Sequence, residues 1–206
     1  MSEINPFQNN RICDSVRRVD FTLDSILHKL DLSPEYRKRD NAYEINGIAI
    51  GECNFNPYVV INGVKQYYQR PLVWSLEDKQ NLIESIYHGI GCGSIIIKLN
   101  SWDLLQQRAD AGETELYFSD VIDGKQRLNA IHEFVNNKFC DRAGNYYEQF
   151  SKKAQHLFLD HQLFAYGEVD SRRISSDEDI LTQFLMVNFA GVPQSLEHIE
   201  YVKSLL

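Results

Sequence analysis

Asp123-Gly124-Lys125-Gln126-Arg127 sets one carboxylate, one glycine, two cations and an amide where an apolar run, Leu116 to Ile122, gives way to helical spacing from Leu128. A helix opening there leaves its first amide N–H groups without intrahelical partners and adds the positive end of its dipole, a combination that binds anions. Lys125 and Arg127 would add full charges, and a guanidinium can grip a phosphate through two parallel hydrogen bonds. Gly124 would let a ligand approach the backbone closely. Asp123 would repel a phosphate unless a cation lies between them. A bridging Mg²⁺ resolves the conflict, because magnesium takes one or two carboxylates together with phosphate oxygens. Gln126 could then orient a water or a base edge. The same five residues also suit a plainer arrangement, an Asp N-cap on a solvated helix start, and the pentapeptide alone does not choose between them.

The elements that must hold this turn are readable from spacing. Phe21, Leu23, Ile26, Leu27 and Leu30 recur as on a short amphipathic helix from Asp20, after a polar stretch (residues 1–19) that reads as an extended arm. A further helical turn is expected at Pro34 to Arg39. Asn46-Gly47 and Asn62-Gly63 are turn signals beside two short strands, Ile48 to Ile50 and Tyr58 to Ile61. Ser75 and Asp78 form a capping-box variant that opens a helix running to Gly89. Then come a strand at Ser94 to Lys98, a helix at Trp102 to Arg108, and a strand at Glu115 to Ile122. The helix after Asp123 buries Leu128, Ile131, His132 and Val135 by spacing. A short helix at Lys152 to Leu159, a strand at His161 to Val169, a helix at Asp177 to Phe189 and a last helix from Ser195 complete the chain. Strands alternating with helices in the centre, and helices dominating both ends, give an α/β or α+β fold, a mixed sheet with helical extensions.

Composition narrows the function. The 206 residues suffice for one substantial core. With 43% hydrophobic and 24% charged residues, the chain reads as an ordinary globular protein. A net charge of −8 argues against a non-specific nucleic-acid binder. Arg37-Lys38-Arg39 is flanked by Glu35 and Asp40 and reads as a solvated helix face. Cys13, Cys53, Cys92 and Cys140 are far apart, which suggests neither a zinc site nor a disulfide framework and fits reduced thiols in a cytoplasm. No export signal or membrane-length apolar run is visible.

Other motifs point away from familiar sites. Gly89-Ile90-Gly91-Cys92-Gly93 follows a helix and precedes a strand, the reverse of a dinucleotide-binding fingerprint, so it reads as a helix C-cap and turn. No Walker-type phosphate loop occurs. His156 and His161 are badly spaced for a shared metal, and His132 reads as a hydrogen-bonded core residue.

Three segments in order resemble the GmrSD-type family, whose hallmark is a DGQQR motif on a ParB/sulfiredoxin-like fold. They are Tyr68 to Trp74 (YQRPLVW), ahead of a helix and the small-residue turn Gly93-Ser94; Val121 to Leu128 (VIDGKQRL); and Val187 to Pro193 (VNFAGVP). The resemblance covers residues 45–206, with 1–44 as an arm with helices. It implies a domain that binds and hydrolyses nucleoside triphosphates in defence against modified foreign DNA, in a bacterial cytoplasm or in that of a phage-infected host. Carried over by position, it assigns Asp123, Gly124, Gln126 and Arg127 to the nucleotide site, with Gln69 and Arg70 facing it and Asn188 contributing. Lys125 stands where the family has its first glutamine.

The resulting expectation is a Mg²⁺-dependent nucleotide-binding and hydrolysing domain. In it Asp123 holds the metal, Arg127 and Lys125 meet phosphate charge, and Gln126 positions the attacking water. Two alternatives stay open: a phosphoryl transferase or ParB-like nuclease acting on DNA, and a non-enzymatic sensor of nucleotide or modified DNA. Family members carry an HNH-type nuclease segment that this sequence lacks, so cleavage would fall to a separate nuclease or effector subunit, or to the ParB-like site itself.

Overall fold

The computed structural model describes residues 16–30, 32, 43–160, 163–170, 176–189 and 196–206. Short apolar runs bounded by turn residues become eight strands: β1 (Val16–Thr22), β2 (Glu44–Ile45), β3 (Ile48–Asn54), β4 (Tyr58–Ile61), β5 (Val64–Tyr67), β6 (Ser94–Leu99), β7 (Leu116–Asp123) and β8 (Leu163–Asp170). Helical spacing becomes α1 (Leu23–Lys29), α2 (Leu76–Tyr87), α3 (Trp102–Asp110), α4 (Lys125–Val135), α5 (Lys152–Asp160), α6 (Asp177–Phe189) and α7 (Leu196–Ser204). Six strands form one mixed sheet in the order β1-β8-β6-β7-β3-β2, while β4 and β5 pair as a separate hairpin. β6 lies parallel to β8, and β3 parallel to β7; β1–β8, β6–β7 and β2–β3 are antiparallel. This is the expected α/β architecture, with α1 near one end of the chain and α6 and α7 at the other.

Successive side chains of a strand point to opposite faces, so Ser94 to Leu99, apolar nearly throughout, needs cover on both sides. Ile95, Ile97 and Val121 pack under α1, α2 and α4 through Leu27, Ile83, Ile86, Leu128, Ile131 and Phe134. Ile96 and Ile122 face the other way, against Val59, Tyr68, Ile180, Phe184 and Val202. On that second face Leu105 and Ala109 of α3 cover Ile50 and Leu116.

The turns match their signals. Asn46-Gly47 and Asn62-Gly63 adopt positive φ at all four residues, the hairpin shape that follows the twist of the strands. Ser75 and Asp78 make the full reciprocal capping box of α2. The N-terminal reading needs correction. Residues 16–22 form β1, paired along its length with β8, and α1 starts only at Leu23, capped by Thr22. Phe21 therefore belongs to a strand. The expected turn at Pro34 to Arg39, the basic triplet within it and the end of the VNFAGVP segment (190–193) lie outside the described residues. His132, expected in the core, is half-buried, and burial pushes its imidazole below the usual histidine range.

Candidate nucleotide-binding turn

β7 ends at Asp123 and α4 begins at Lys125, so the whole reversal falls on Gly124, at φ 86. A Cβ there would lie 3.0 Å from the carbonyl oxygen of Ser94 and 3.2 Å from Cα of Ile95. The close approach that glycine permits is therefore made by β6, a neighbouring strand of the sheet. Gly124 is also the N-cap residue and has no side chain to cap with, so no side-chain hydrogen bond closes the start of α4. Asp123 is not the cap. The helix start keeps its free amide donors and positive dipole end.

The side chains of the motif part company around this end. Arg127 turns toward the start of β6, where its Nη2 donates to the Ser94 carbonyl at 2.6 Å and to Asp123 Oδ2 at 3.0 Å. The Ser94 hydroxyl reaches the same oxygen at 3.4 Å. Gly93 lies against the guanidinium, where a Cβ would sit 3.2 Å from Arg127 Cζ. Arg127 Nε is buried and makes no hydrogen bond. Lys125, two residues earlier and thus about 200° around the helix, turns the other way. Its Nζ donates to Asn56 Oδ1 at 3.2 Å and to the Arg70 carbonyl at 3.1 Å. Only 8% of Lys125 is exposed, and no carboxylate pairs with it among the described residues. Burial alone pushes this ammonium below the usual lysine range.

The two glutamines build the scaffold. Gln126 Nε2 donates to the Pro71 carbonyl at 2.7 Å, and its Oε1 accepts from the backbone N–H groups of Val73 at 3.1 Å and Trp74 at 3.4 Å. Both ends of the amide therefore hold the 70–74 segment. Gln69, also buried, donates to the carbonyls of Val121 and Ile122, the latter at 3.3 Å, and ties that segment to β7. Arg70 projects its side chain into solvent. The structure thus brings Asp123, Arg127 and Ser94 together on one flank of the helix end. Lys125, Asn56 and the Arg70 backbone meet on the other. Asn188 lies in α6, with its side chain outside the described residues. Spacing gave no signal for Asn56, which stands 69 residues from the lysine it holds.

Among the described residues no group of three or more His, Cys, Asp or Glu is arranged to hold a metal. Asp123 spends Oδ2 on Arg127 and Ser94, which leaves Oδ1 for one coordination position. One carboxylate oxygen fits a magnesium that draws its other ligands from phosphates and water, and does not fit an ion held by protein alone. Among the described residues no helix is long and apolar enough to cross a membrane.

Searches of curated proteins and of solved structures return no match. Residues 59–204 match the family described as GmrSD restriction endonuclease, N-terminal domain. That span runs from β4 through α7 and takes in the YQRPLVW segment, the strand-to-helix turn and Asn188. The chain belongs to the GmrSD restriction endonuclease N-terminal domain family, which places it in a restriction system.

Proposed function

We propose that this domain binds a nucleoside triphosphate across the opening of α4 and hydrolyses it with Mg²⁺ as part of a restriction system. Lys125 carries the reading. Among the described residues, a buried ammonium held by an amide and a carbonyl alone, at a helix start with no side-chain cap, lacks the counter-charge that burial ordinarily demands. A phosphate would supply it and would also occupy the free amides. The unbonded Nε of Arg127 gives a second donor on the opposite flank. Asp123 Oδ1 would take one position on the magnesium that accompanies the triphosphate. The ion's part is to neutralise charge on the phosphate oxygens. Lys125 and Arg127 would meet the remaining charge as it builds toward the leaving group. Family membership favours DNA, modified DNA or a separate nuclease subunit as the downstream partner.

Incubation of the purified protein with each nucleoside triphosphate and Mg²⁺, with released phosphate as readout, tests the reading. Turnover is expected, and Arg127→Ala should slow it roughly 100- to 1,000-fold, the usual result of losing one preorganised donor. Turnover untouched by both Arg127→Ala and Asp123→Ala would remove the site from consideration.

One observation favours a second reading, nucleotide binding without turnover. Gln126 is committed at both ends of its amide to the 70–74 segment, so it holds a loop and is not poised over a water. A sensor would show ligand-dependent thermal stabilisation, about 2.7 kcal/mol at 100 times Kd, with no phosphate release.

A further inference from the structure

Asn56 carries no motif and lies outside the family match, yet it is the side chain that fixes the Lys125 ammonium. Its backbone N–H donates to Asn54 Oδ1 at 2.8 Å, and Asn54 Nδ2 donates in turn to the buried carboxylate of Asp120 at 3.1 Å. The short segment after β3 is thereby pinned to the middle of the sheet, and Asn56 presents a fixed oxygen to Lys125. The Arg70 carbonyl is the other acceptor, and the Arg70 segment is fixed by Gln69 and Gln126. An ammonium has three donors and these two neutral acceptors use two of them. Neither acceptor carries charge, so nothing in this cage cancels that of the ammonium, and among the described residues its third N–H is left for a further acceptor.

We propose that Asn56 is a positioning residue of the anion site, a neutral acceptor that holds the Lys125 ammonium in place while leaving its charge for a phosphate of the bound nucleotide. The inference rests on the nucleotide reading above and adds to it a specific chemical demand, that position 56 be an acceptor without charge. A carboxylate there would hold the lysine more tightly, cancel its charge and repel the ligand. An alanine would only loosen the lysine.

The test is the affinity of the intact protein for ATP and for inorganic tripolyphosphate, measured by calorimetry for the unaltered protein, Asn56→Ala, Asn56→Asp, Lys125→Met and Lys125→Met/Asn56→Ala. Asn56→Ala should weaken binding about tenfold, the scale of one hydrogen bond to a charged group. Asn56→Asp should weaken it further despite restoring an acceptor of nearly the same shape. Asn56→Ala should cost nothing once Lys125 is methionine, because its effect passes through that lysine. The proposal is overturned if Asn56→Asp binds as tightly as Asn56→Ala, or if the Asn56→Ala loss persists in the Lys125→Met background. If Lys125→Met binds both ligands as the unaltered protein does, the nucleotide reading fails at this lysine and the Asn56 proposal falls with it. Thermal melting of each variant verifies folding; Asn56 is exposed, and methionine at the buried position 125 keeps the length of the side chain without its charge.

Discussion

A methyl group on Gly124 would press into the Ser94 carbonyl and Ile95 while the backbone stayed at a positive φ. Gly124→Ala should therefore cost about 1–3 kcal/mol of stability and shift the start of α4, measurable by denaturant unfolding. A variant as stable as the parent would show that β6 can retreat. Asp123 and Arg127 depend on each other, since both share the flank formed by Ser94. Asp123→Asn keeps the shape and leaves Arg127 without its counter-charge, so anion affinity should rise while Mg²⁺ dependence weakens. Titration with tripolyphosphate in the presence and absence of Mg²⁺ separates the two effects; unchanged affinity in both would show that this carboxylate faces neither ligand. The motif marks these residues as a group, but its letters could not say which would point at a ligand and which would hold a loop. Gln126 carries the same amide in either role.

Between elements, the 70–74 segment links β5 to α2 and is fixed by side chains rather than by a strand ladder. Gln126 holds three of its backbone groups and Gln69 anchors its beginning to β7. Replacing Gln126 with leucine should leave the sheet intact and loosen the segment. Hydrogen exchange at Val73 and Trp74 should quicken sharply, with a loss of about 1 kcal/mol in global stability. Exchange rates equal to the parent's would show that packing alone holds the segment. Helix and strand positions were legible wherever periodicity was strong: β4, α2, β6 and α6 fall within a residue or two of expectation. The failures have local causes. β1 alternates weakly and is polar, so nothing in its composition distinguishes a sheet strand from a free arm; its partner, β8, lies about 150 residues further along the chain.

Across the whole molecule, the sheet separates two environments. α2 and α4 cover one face, while Asp120, Lys98 and Asn100 lie on the opposite face, each almost wholly buried. Asp120 accepts from Asn54 at 3.1 Å and Asn100 at 2.9 Å and pairs with Lys98 at 3.4 Å. Removing one partner strands the other, so Asp120→Asn should destabilise the fold by about 3–5 kcal/mol, whereas Lys98→Met with Asp120→Asn should recover most of that. Equal losses in the single and double variants would argue that the pair is not coupled. Burial holds the Lys98 ammonium below the usual lysine range, with Asp120 opposing. Between that lowered value and about 10.5 the unfolded chain binds more protons at this residue than the folded one, so stability from Lys98 rises with pH across the window. The difference between the parent and Lys98→Met, followed by denaturant midpoint against pH, should show that rise; a flat difference would mean that the lysine keeps its charge in both states.

Local spacing determined most of the elements, the capping box, the two Asn-Gly turns and the place where strand β7 turns into α4, because these depend on residues a few positions apart. The ordered YQRPLVW, VIDGKQRL and VNFAGVP segments carried the resemblance to the family that the match over residues 59–204 shows. Which strands lie side by side, and therefore what touches the motif, was decided only in the folded chain. Asn56 meets Lys125, Ser94 meets Arg127 and the 70–74 backbone meets Gln126 through sheet pairings and loop packing between residues about 30 to 70 positions apart. Periodicity records which face of an element is buried and carries no account of the element that will cover it. The five letters DGKQR therefore marked the turn, and the neutral acceptors that surround its lysine were decided only by tertiary contacts.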